Sequence, residues 1–164
     1  MIVTAEFAAT DFAWLEGLRR AHYPADRNRV PAHLTLFHAL PPSALEQAKR
    51  QLAGHAAGPA PHATIAGLMD LGGGVAFRIV SDELDFIRDE LAEHFHGSLG
   101  AQDASGWRPH VTIQNKVPPK QARALIAGLE RGFRSRSIGI AGLALHRYRE
   151  GPWETLARFA FRGC

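Results

Sequence analysis

Two stretches of the chain alternate polar and apolar residues with the period of a strand: "PAHLTLFHALPP" from Pro31 to Pro42, and "RPHVTIQNKVPP" from Arg108 to Pro119. Residues at i, i+2 and i+4 share one face of a strand. His33, Thr35 and Phe37 are therefore expected on one face and Leu34 and Leu36 on the other. In the second stretch His110, Thr112, Gln114 and Lys116 oppose Val111 and Ile113. The apolar faces can pack beneath helices, which leaves the polar faces to solvent or to a cleft.

Aligning His33 with His110 superposes Thr35 on Thr112 and Pro41-Pro42 on Pro118-Pro119 without a gap. A helical pattern follows each Pro-Pro. The first is "SALEQAKRQLAG", with an expected capping box of Ser43 and Glu46, an apolar stripe of Leu45, Ala48 and Leu52, and a stop at Gly54. The second, "KQARALIAGLERGF", puts Ala122, Leu125, Ile126, Leu129 and Phe133 on one face. Further helical patterns precede the histidines, at about 11–22 and 82–96, the latter stopping at Gly97. "IAGL" occurs at 65–68 and 140–143, followed by the turn regions "LGGG" (71–74) and "REGP" (149–152) and the strand-like runs "VAFRIV" (75–80) and "TLARFAF" (155–161).

The same elements in the same order indicate a duplicated unit of strand, helix, strand, helix and hairpin, with "VAFRIV" and "TLARFAF" closing the two hairpins. Strands and helices mix without strict βαβ alternation, which predicts an α+β fold. We expect a single domain over 1–164 made of two pseudo-two-fold-related lobes, each a mostly antiparallel sheet backed by helices. The two His-x-Thr strands would face each other across a central cleft. The loosest segments are expected at about 22–32 and 97–107.

Composition narrows the function classes. With 164 residues and 46% hydrophobic content, the chain can bury a core without staples. The lone cysteine, Cys164, allows no intramolecular disulfide and offers at most an accidental one between chains. The opening residues lack a basic segment followed by an apolar run, and no stretch approaches the ~20 apolar residues of a membrane span. A cytoplasmic monomer with no membrane partner is the expectation. The net charge of +3 suits an anionic ligand without amounting to a long nucleic-acid-binding tract.

Two imidazoles whose ordinary pKa is near neutrality can act together, one accepting a proton and the other donating one. Threonine hydroxyls can hold phosphoryl oxygens. The set suits phosphodiester cleavage without a metal or other cofactor. No His-Glu-x-x-His, Cys-x-x-Cys or clustered Asp triad suggests a metal site. His94 and His96 do not face each other on a helix, and His33 and His38 are expected on opposite strand faces. "LGGG" lacks the Gly-Lys-Ser/Thr of a P-loop.

With two His-x-[Ser/Thr]-hydrophobic motifs in register, the chain resembles the 2H phosphoesterase superfamily. Within it, "HLTLF" and "HVTIQNKV" look most like bacterial 2′-5′ RNA ligases, also described as RNA 2′,3′-cyclic phosphodiesterases. The resemblance implies catalytic His33 and His110 and phosphate-binding Thr35 and Thr112. It implies as substrate an RNA end or a small nucleotide with a 2′,3′-cyclic phosphate, opened to a 2′-phosphate, and for some members reversible joining of 2′-5′ linkages. The alternative is a module that binds RNA ends or nucleotides without turnover. Further candidates for substrate contact are Phe37, Gln114, Arg108, Lys116 and Arg149, with Lys116 or an arginine as the phosphate cation. Trp107 is expected to pack at the strand entrance, and Tyr148 and Arg78 are weaker cleft candidates.

Overall fold

A computed structural model describes residues 1–163; the lone Cys164 lies outside the described residues. The elements are β1 (Ile2–Phe7), α1 (Ala9–His22), β2 (Leu34–Phe37), α2 (Leu45–Ala56), β3 (His62–Asp70) and β4 (Val75–Val80). They continue as α3 (Asp82–His94), α4 (Ala101–Ala104), β5 (His110–Gln114), α5 (Pro119–Glu130), β6 (Arg136–Arg147) and β7 (Glu154–Ala160). The fold is α+β. Seven strands form one sheet in the order β2-β1-β6-β3-β4-β5, with β7 also on β6, and every strand pairing is antiparallel.

That order is unchanged when β1, β2 and β3 are exchanged for β4, β5 and β6. The repeat is therefore strand, helix, His strand, helix, strand: β1-α1-β2-α2-β3 and β4-α3-β5-α5-β6. Its boundary falls in the glycine turn at 71–74 and not after "VAFRIV". β1, a buried strand whose side chains carry no alternation, is the partner of β4 that the sequence pattern did not announce. The third strand of each repeat crosses to the other repeat. β3 pairs with β4, and β6 pairs with β1. β6 joins the halves: its residues 136–139 pair with β3 and residues 140–146 with β1.

Helices pack on this sheet across the repeats, α1 against β5, α2 against β6 and β7, and α3 and α5 against β3. Leu15, Leu34, Leu36, Ile65, Ile79, Leu84, Leu91, Ile113 and Leu143 are fully buried. Each such side chain contributes about 1.5–3 kcal/mol relative to exposure.

Local details differ from the sequence pattern at the helix ends. Pro42–Ala44 forms a 3-10 turn, so α2 begins at Leu45 with no side-chain cap; Glu46 instead pairs with Lys49 at 3.0 Å. Gly54 does not stop α2, which runs to Ala56. In α3 the Ser81 hydroxyl does cap, accepting the Leu84 N–H at 3.1 Å. The segment expected to be loose at 97–107 holds the short helix α4 and a buried acid, Asp103.

The glycine turn is constrained by packing. A Cβ on Gly74 would run into the Gln114 carbonyl and lie 2.6 Å from the Asn115 Cα. Neither neighbour is a flexible side chain, so Gly74→Ala is expected to cost about 1–3 kcal/mol. Urea unfolding checks this, and a stability equal to that of the parent would refute the close approach.

Candidate active site

The two His strands break register at the same point. Against β1, Thr35 pairs with Thr4 while Phe37 pairs with the next residue, Val3, leaving Leu36 as an extra residue. Against β4, Thr112 pairs with Ala76 while Gln114 pairs with Val75, leaving Ile113 extra. A bulge of this kind resets which face the following side chains take. Phe37 and Gln114 turn onto the apolar side and are buried, at 0% and 2% exposure. This corrects the expectation that either residue lines the cleft. The next residue takes the vacated face, and after β2 that residue is His38.

His33, Thr35, His110 and Thr112 line one cavity of about 150 Å³, together with Ile2, His38 and Trp153. Each histidine makes the same backbone bond. His33 Nδ1–H donates to the Pro31 carbonyl at 2.7 Å, and His110 Nδ1–H to the Arg108 carbonyl at 2.8 Å. A carbonyl can only accept, which fixes the proton on Nδ1 and leaves each Nε2 for chemistry.

Two buried arginines hold the strands together. Arg19, on α1, donates from Nε to the Asn28 side chain at 2.8 Å and the Val30 carbonyl at 3.1 Å, and from Nη1 to the Thr112 carbonyl at 2.8 Å. Arg88, on α3, donates from Nε to the Leu36 carbonyl at 2.8 Å and from Nη2 to the Asp103 carbonyl at 2.5 Å. Each arginine thus joins the loop before its own histidine to the His strand of the other repeat. Trp107, from the loop before His110, adds an indole N–H bond to the Thr35 carbonyl at 3.0 Å. It packs at the strand entrance as expected.

Burial pushes the His33 pKa down from 6.5 to about 4; the bond to Pro31 opposes this, and Arg19, His110 and His146 add to it. The Trp153 ring lies against it, with centroids 4.6 Å apart. Trp153 and His33 also border a second cavity of about 380 Å³ walled by Phe7, Phe12 and Pro152, a size typical of small-molecule pockets. There His146 is held between the Thr4 and Thr155 hydroxyls at 2.9 and 3.1 Å, and burial lowers its pKa.

The cationic candidates lie away from the 150 Å³ cavity. The Arg108 side chain is exposed and only its carbonyl reaches the site. Lys116 is exposed beyond the end of β5, with a left-handed φ of 61°. Arg149 pairs with Glu154 at 2.9 Å in the β6–β7 turn, where Tyr148 is 65% exposed. Arg78 is exposed and bonds the Ala66 carbonyl at 3.3 Å. Trp153, from that same β6–β7 connection, reaches the cavity instead. The sequence pattern did not single it out, although a tryptophan after Gly-Pro in a turn was a usable signal. His38 and Asp103 were also missed. The bulge that moves His38 onto the cavity face has no mark in the alternation, and nothing in the spacing pairs it with Asp103.

The comparisons with known proteins agree with this architecture. The chain belongs to the 2'-5' RNA ligase superfamily, whose family model matches residues 7–152, and so to the 2H phosphoesterases. None of the curated proteins matches the chain. Among solved structures it is similar to the protein TT0787 of Thermus thermophilus, with a TM-score of 0.66, 19% identity and 99% of each chain covered. It is also similar to E. coli LigT complexed with NADP+ (TM-score 0.57) and with 3'-AMP (TM-score 0.58). Both are 20% identical, with 98% of this chain and 96% of theirs covered. Membership supports a phosphoesterase type of activity. Among the described residues no helix is long and apolar enough to cross a membrane.

Proposed function

We propose that the protein opens ribose 2′,3′-cyclic phosphates, at RNA ends or on small nucleotides, to 2′-phosphates by paired-histidine catalysis that needs no metal. The carrying observation is the convergence of two His-x-Thr strands on one cavity, with both Nδ1 protons committed to backbone carbonyls. His33 is the general base, because its depressed pKa keeps Nε2 unprotonated at neutral pH. It takes a proton from water as the water oxygen bonds to phosphorus. The bond from phosphorus to O3′ breaks, and His110, entering the step protonated on both ring nitrogens, donates its Nε2 proton to O3′. The Thr35 and Thr112 hydroxyls hold the non-bridging oxygens. The binding of 3'-AMP and phosphate by LigT supports a nucleotide phosphate as ligand.

The test is turnover of a 2′,3′-cyclic nucleotide in EDTA, with the position of the phosphate read by phosphorus NMR. A 2′-phosphate product is expected. Binding without turnover would favour the non-catalytic module, and loss of activity in EDTA would refute the metal-free reaction.

The acid limb of kcat/KM follows from His33. Protonation removes the base, and the folded site resists that protonation down to about pH 4. The limb is therefore expected well below pH 6.5, approaching 4, and it is expected to vanish from the residual activity of His33→Ala. A profile measured from pH 3.5 to 9 checks this; an acid limb centred at 6.5 would remove His33 from the base role.

A further inference from the structure

We infer that His38, clamped by the buried carboxylate of Asp103, is the phosphoryl-binding cation of the site and stands on one side only of a chamber that is otherwise pseudo-symmetric. The inference rests on the phosphoesterase reading and supplies the positive partner that reading lacks. Among the described residues, beyond the two His-x-Thr pairs, the chamber is lined by Ile2, His38 and Trp153, with no lysine or arginine. An anionic phosphoryl group held there meets one further ionisable side chain, and it is His38.

The position of His38 is built into the fold. The β2 bulge turns it onto the chamber face, and Asp103 fixes its ring. His38 Nδ1–H donates to Asp103 Oδ1 at 3.0 Å. The same carboxylate accepts the His38 backbone N–H at 2.9 and 3.0 Å and the Ala39 N–H at 2.9 Å. Arg88 holds the Asp103 carbonyl, tying the acid to α3. Burial alone would push the Asp103 carboxyl up, but the bonds from His38 and Ala39 outweigh it and hold the group below its ordinary value. At 3% exposure, Asp103 is a fixed negative charge bonded to one imidazole nitrogen. That arrangement orients the ring and fixes Nδ1 as the donor to Asp103. The His38 side chain is 42% exposed and lines the chamber, and Asp103 occupies only its Nδ1, which leaves Nε2 for a ligand.

In the second repeat the equivalent residue is Asn115, whose side-chain oxygen accepts the Lys116 N–H at 2.8 Å. The pair His38 and Asn115 therefore breaks the symmetry of the chamber. A phosphoryl group would place its most negative oxygens toward β2, which fixes one direction of attack across two similar histidines.

Inorganic phosphate is titrated into the full chain, His38→Gln and the control Asn115→Ala by calorimetry, and the same proteins are assayed on a 2′,3′-cyclic nucleotide. His38→Gln is expected to weaken phosphate binding and to lower kcat/KM by about 10- to 100-fold, the weight of one charge-assisted hydrogen bond. The control stays at parent values. In parallel, nitrogen NMR of the parent's histidines is expected to show the His38 Nε2 resonance moving on phosphate addition, which a merely structural histidine would not do. That signal also decides the matter if the variant fails to fold. Equal phosphate affinity in parent and His38→Gln, an unmoved Nε2 resonance, or a parent that binds no phosphate overturns the inference. A parent that binds phosphate through His38 yet opens no cyclic phosphate refutes the proposed reaction and leaves His38 standing as an anion ligand.

Discussion

His33→Ala and His110→Ala are each expected to lower turnover of a 2′,3′-cyclic nucleotide by about a hundred- to ten-thousand-fold, the usual weight of a positioned acid or base. The two histidines act on one displacement. Removing the second from a site already lacking the first therefore adds little, and the double variant is expected to resemble the worse single. Neither change opens the core. Both side chains line a cavity, and among the described residues their backbone bonds are to Pro31 and Arg108, two residues upstream. Thermal melting should therefore stay close to the parent while the rate collapses. Thr35→Val and Thr112→Val are milder versions of the same experiment. Each deletes one hydroxyl donor at nearly constant volume, with an expected loss of about tenfold. Full activity in either histidine variant would show that the reaction is not carried by the paired strands.

The largest effect on stability is expected at Arg88. Its guanidinium bonds the Leu36 and Asp103 carbonyls and lies 3.9 Å from the centroid of the Phe37 ring, with 5% of the residue exposed. Arg88→Ala leaves two carbonyls short of a partner, at roughly 1–3 kcal/mol each, and removes the contact with the ring. A loss of about 3 kcal/mol follows, or a fall in Tm of roughly 6–12 °C for a chain of this size. Arg88→Lys should recover little, because a single ammonium cannot reproduce the planar fork that reaches both carbonyls. Since Arg88 also anchors Asp103, the lysine variant is expected to lose phosphate affinity along with stability. Calorimetric melting of both variants tests this, and a Tm within about 2 °C of the parent for Arg88→Ala would refute the latch. Arg19 makes the mirrored connection to the Thr112 carbonyl and is expected to behave in the same way.

Much of this architecture is legible from the chain. Period-two alternation locates β2 and β5, and helical periodicity locates α1, α2, α3 and α5 to within a few residues. The duplication brings His33 and His110 into register from residue identities alone. These are local signals, carried by neighbouring residues, and the structure preserves them. The misreadings share a different cause. A strict alternation extends Phe37 and Gln114 onto the histidine face, and an extra residue in each strand reverses it. A bulge arises from the pairing of two strands, so it leaves no trace in the pattern of either one. The repeat boundary is displaced for a similar reason, because β1 is buried without alternating and its kinship to β4 is visible only in the sheet order.

Most of the elements, their duplication and the two His-x-Thr pairs can be read from the chain alone, because these depend on residue type and short-range period. Tertiary packing sets the crossing of the third strand of each repeat to the other, and it lets Arg19 and Arg88 fasten each His strand from the opposite repeat. It also decided that Trp153 closes one wall of the chamber and that His38 enters it against Asp103. These features depend on contacts between residues far apart in the chain, such as the 65 positions that separate His38 from Asp103. Long-range pairing of this kind is set by how the sheet closes and the helices pack, and that is information no single stretch of the chain contains.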